Sequence, residues 1–96
     1  MPEVLRARVV SWWLGWTRDT PESRASREAV RASELRHVAQ GIWGDVLGQR
    51  AGVSTDAAER AIDLLVAAGL LRRNRSGLAW APDEAIPLLN RLAELA

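Results

Sequence analysis

The sequence predicts a mainly helical domain carrying one small, two-stranded β-hairpin. Apolar residues recur at helical intervals along five stretches of the chain. Before the last of them, "LLRRNRSGLAWAP" sets a cluster of turn residues between two short apolar pieces, the pattern of a hairpin. Gly41, Gly52 and Gly69 each stand where a helical period stops.

The first helix is expected over residues 3–16. Leu5, Val9, Trp12 and Trp16 share one face, at successive spacings of 4, 3 and 4, and Trp13 widens the stripe. "TRDTPES" (17–23) interrupts it. Thr20 followed by Pro21 has the form of a cap and first helical position. A second helix therefore starts at Thr20 or near Ser26 and runs to about Gln40, with Ala25, Ala29, Ala32, Leu35, Val38 and Ala39 as its apolar positions. Ile42 and Trp43 read either as a very short strand or as a buried turn. Asp45 caps a short helix from Val46 to Ala51, closed by Gly52. Ser54 caps the next helix, Thr55 and Asp56 suit its first turn, and Ala58, Ala61, Ile62, Leu65 and Ala68 form its inner face. Leu70–Arg73 and Leu78–Ala81 are the hairpin strands around "NRSG", with Trp80 facing inward and Trp43 also in the core. Asp83 or Pro82 opens a last helix to about Leu95. Pro87 falls early in it, where a missing N–H matters least, and Leu88, Leu89, Leu92 and Leu95 make its apolar face.

Composition narrows the function classes. Ninety-six residues amount to one domain, taken as spanning 1–96. With no Cys there is neither a disulfide framework nor a thiolate metal site, and the single His, His37, does not make a histidine zinc cluster. No Ser/His/Asp arrangement or glycine-rich phosphate loop is visible, and Asp45 and Glu84 are isolated acids, so no enzyme activity, cofactor or metal is expected. "VVSWWLGW" after Arg6 and Arg8 lacks a small-residue cleavage site, and no run reaches the roughly eighteen apolar residues of a membrane span, so the expected location is cytoplasmic. All thirteen basic residues are Arg, and the net charge is only +1, so any nucleic-acid contact rests on local patches.

From about Ala29 to Leu92 the chain resembles the winged helix-turn-helix transcriptional regulators. "DVLGQRAGVS" is similar to their second helix and turn, "TDAAERAIDLLVAAGLLRR" to their recognition helix, and "RRNRSGLAWAPDEA" to the wing and closing helix of the multiple-antibiotic-resistance-type members. The resemblance implies a winged helix-turn-helix fold. It also implies that the helix after Ser54 is presented to double-stranded DNA, with its positive N-terminal end outward and the arginine-bearing wing beside it.

The residues expected at the DNA are Gln49, Arg50, Ser54, Thr55 and Arg60 at the groove, with Arg72, Arg73 and Arg75 on the backbone. A solvated hairpin tip is the plainer alternative for the three wing arginines, and an ordinary surface position is the plainer alternative for Gln49, Arg50, Ser54 and Thr55. Asp56, Glu59 and Asp63 are expected on the same outward helix face, which fits a base-reading helix poorly and keeps a second function open. In that reading the acidic helix face or the Trp-rich N-terminus docks on a polymerase, a replication factor or another regulator without reading DNA. Leu5, Val9, Trp12, Trp13 and Trp16 are expected to form a homodimer interface, since three Trp within five residues are hard to bury in so small a chain; an internal core and a ligand or membrane-surface role are the alternatives. The leading expectation is a small dimeric DNA-binding regulator.

Overall fold

A computed structural model describes residues 27–95, together with Glu3, Val4, Ala7 and Arg24. Glu3, Val4 and Ala7 are helical. The remainder of the expected 3–16 helix, including Leu5, Val9, Trp12, Trp13 and Trp16, lies outside the described residues. The described part is mainly helical with a two-stranded antiparallel sheet. In chain order it comprises α1 (Ala32–Gln40), α2 (Gly44–Ala51), α3 (Thr55–Ala67), β1 (Arg72–Arg73), β2 (Ala79–Trp80), a 3-10 turn (Asp83–Ala85) and α4 (Ile86–Leu95).

The expected second helix is not continuous. Residues 27–29 are helical, Val30 bends, and α1 begins after Arg31 in an extended conformation, φ −74° and ψ 161°. Ala29 and Val30 are both buried. Val30, at the bend, enters the same core cluster as Ala29.

Downstream the elements follow the sequence closely. Gly52 closes α2 in the left-handed conformation, φ 71° and ψ 30°, which a side chain would strain. The Ser54 hydroxyl accepts a hydrogen bond from the Ala57 amide at 3.1 Å and so caps α3. Asp45, expected as a cap, instead lies inside the first turn of α2, which starts one residue earlier. Ala58, Ala61, Ile62 and Leu65 of α3 are buried, and Val53 packs half-buried against the same core. Leu70 and Leu71, expected in a strand, are buried residues of the α3 exit, and both amides donate to the Leu65 carbonyl, at 3.0 and 3.3 Å.

The hairpin pairs Arg72 with Trp80 and Arg73 with Ala79. Its turn is closed by the Gly77 amide on the Asn74 carbonyl at 3.0 Å and by the Leu78 amide on the Asn74 side chain, also at 3.0 Å. On the other side of β2, Ile42 and Ala79 exchange backbone hydrogen bonds of 2.8 and 3.0 Å. Ile42 therefore acts as a one-residue third strand, which settles the choice left open at that position and ties the α1–α2 junction to the hairpin. Trp43 is not in the core as expected: it is 40% exposed. Its ring instead lies by the hairpin turn, near Gly77. Trp80 is half-buried. α1 packs on α4, α2 packs chiefly on α3, and Leu47, Ile62, Leu65, Leu70, Leu71 and Leu89 fill the space between them.

Candidate nucleic-acid interface

The residues singled out from the sequence fall on three adjoining pieces: the end of α2, the start of α3, and the hairpin. Gln49 and Arg50 are exposed on the last turn of α2. One Arg50 guanidinium nitrogen lies 3.0 Å from His37 Nε2 on α1. Ser54 and Thr55 are exposed at the α3 N-terminus, where Thr55 and Asp56 occupy positions whose N–H groups a helix cannot satisfy internally. Arg60 is exposed one turn further along. Arg72 is exposed on β1, 3.7 Å from Glu84, and Arg75 is exposed on the turn. Among the described residues, neither Arg60 nor Arg75 has an ion-pair partner within 4.0 Å.

Arg73 differs from its neighbours. Its side chain is only 22% exposed, and its fork reaches back from the hairpin to α3. One terminal nitrogen bonds the Glu59 carboxylate, and the other donates to Asp63 Oδ1 at 3.0 Å. Only its Nε is left without an acceptor. Glu59 faces outward only in part: its side chain is 38% exposed, and its carboxylate lies between Arg73 and the first residue of α2, Gly44, where an added methyl would fall on it. Asp63 remains more open, with a side chain 71% exposed. Of the three acids, Asp56 alone has no ion-pair partner among the described residues.

Two glycines that carry no cap or turn signal of their own make this arrangement possible. Gly44, Gly48 and Gly52 stand at four-residue intervals, which puts the first two on one face of α2. A methyl at Gly48 would sit 3.1 Å from the Val53 carbonyl and 3.4 Å from both the Ser54 carbonyl and Thr55 Cα. Small residues there let α2 approach the turn and the start of α3, while Gly44 leaves room for Glu59. The spacing was the available signal for the glycines. For Glu59 and Asp63 it was the like-charge pair itself, because two carboxylates one helical turn apart repel unless a cation lies between them.

Comparison of the chain with protein-family models, curated proteins and solved structures finds no match. Among the described residues no helix is long and apolar enough to cross a membrane.

Proposed function

We propose that the chain is a winged helix-turn-helix protein that binds double-stranded DNA, acting as a small, dimeric, cytoplasmic transcriptional regulator. In this reading α2 and α3 are the helix-turn-helix, α3 is the recognition helix, and the hairpin is the wing. The observation that carries it is the pairing of two exposed features on one support. The Ser54-capped start of α3 presents unpaired amides, and the turn bearing Arg75 is anchored to the same helix through Arg73. A helix N-terminus attracts phosphate, and a flexible arginine at a hairpin tip suits the backbone or the minor groove.

The competing reading, a protein-docking module, has the acidic set Asp56, Glu59 and Asp63 as its main support, with the Trp-rich N-terminus as its other docking surface. Two of those carboxylates are engaged by Arg73, which favours DNA over a basic protein partner. The dimer rests on the tryptophan-rich pattern of residues 5–16 alone. Two copies would set their α3 ends about 34 Å apart, one turn of duplex.

Affinity for a random-sequence duplex is expected to fall steeply as salt is raised, because bound phosphates release counterions. Arg75→Ala is expected to weaken binding to all duplexes alike and to lower the salt slope by about one unit. A gel shift at low and moderate salt checks both. Absence of any shift at low salt would turn the reading towards a protein partner, and an unchanged affinity for Arg75→Ala would remove the turn from the interface.

A further inference from the structure

Resting on the DNA-binding reading, we infer that Arg73 is a positioning residue rather than a phosphate contact. It clamps the hairpin to α3 through Glu59 and Asp63, and it acts on DNA only by way of those two carboxylates. Three observations converge on this. Both terminal nitrogens of the guanidinium are committed to carboxylates, and the side chain is 22% exposed, against 64% for Arg72 on the neighbouring position of β1. Delivering Arg73 to a phosphate would strip two acids of their counter-charge at the surface the duplex must approach. The junction also joins three elements, since the Glu59 carboxylate is packed on Gly44 at the start of α2. One arginine therefore fixes the angle between the two contact surfaces and lowers the negative charge of the helix between them.

The two roles differ in how Arg73 responds to its partners. A phosphate contact loses the same factor on Arg73→Gln whatever stands at positions 59 and 63. A clamp loses that factor only while the carboxylates are there to be exposed, so the effects are non-additive. The choice of cation also separates them. Lys supplies a point charge sufficient for a phosphate, but not the planar fork that spans two carboxylates at once.

The experiment measures binding of the full chain to a short labelled duplex by fluorescence anisotropy. It compares wild type, Arg73→Gln, Arg73→Lys, the Glu59→Gln/Asp63→Asn pair, and that pair combined with Arg73→Gln. The clamp gives about a tenfold loss for Arg73→Gln in the native background and less than about a threefold loss in the neutralised one. Arg73→Lys falls near Arg73→Gln. Equal losses in both backgrounds, or an Arg73→Lys variant that binds like wild type, overturns the assignment. If Arg73→Gln does not fold, the Lys variant decides alone. Thermal unfolding of the same set reads the coupling of Arg73 to its two acids without DNA. A coupled set whose wild type ignores duplex at low salt overturns the DNA reading and this role with it, whereas an uncoupled set removes the clamp itself.

Discussion

Leu65→Ala is expected to destabilise the domain by about 2–5 kcal/mol, a large part of what a small domain has to spare. Leu65 is 0% exposed, on the inner face of α3. Its removal opens a cavity among side chains from several elements, and its own carbonyl receives the amides of Leu70 and Leu71 where the chain turns towards the hairpin. Partial collapse of the site is therefore opposed by the exit of α3, which places the loss in the upper part of that range. Leu64, its neighbour in sequence, is 43% exposed, and Leu64→Ala should stay within about 0.5 kcal/mol of wild type. Urea unfolding followed by circular dichroism checks the pair. Equal losses for the two would mean that the helix presents a different face to the core.

The second large effect is expected at Gly44. Replacing a helical Gly with Ala ordinarily favours the helix by up to about 1 kcal/mol. Here the sign reverses, because the new methyl would fall on the Glu59 carboxylate. Glu59 is not free to swing aside at little cost, since Arg73 holds it. Gly44→Ala should therefore destabilise by about 1–3 kcal/mol, the usual scale for over-packing. Truncating the obstacle restores the ordinary sign: in a Glu59→Ala background, Gly44→Ala should be neutral or stabilising. The melting temperatures of the two single variants and the double variant decide it. If Gly44→Ala is harmless in the native background, Glu59 does not occupy the place assigned to it.

Much of the chain from Ile42 onward was legible in the sequence because its signals are local. A cap, a left-handed glycine and an apolar period each act within a few residues, and Ser54, Gly52 and the α3 face fall where those signals put them. The break before α1 was not legible, since nothing at Val30–Arg31 disfavours a helix on its own. The hairpin strands came out shorter than the apolar run because Leu70 and Leu71 are claimed by the end of α3. Trp43 was misplaced for a related reason. It is the extended residue between the Ile42 bridge and α2, and its ring lies at the hairpin turn instead of in the core. The site itself was half legible. Its residue types and order could be read directly, and they put Ser54, Thr55, Arg60 and Arg75 at the surface. The pairing of Arg73 with Glu59 and Asp63 joins residues 14 and 10 positions apart across two elements, and no periodicity reports a contact of that kind.

On the proposed reading, the start of α3 and the hairpin turn receive a DNA duplex together. Amide chemical shifts followed residue by residue during titration with a short duplex at low salt test it most directly. The changes are expected to concentrate at residues 54–60 and 72–77 and to fade as salt is added. Changes gathered elsewhere on the domain, or none at all, would contradict it.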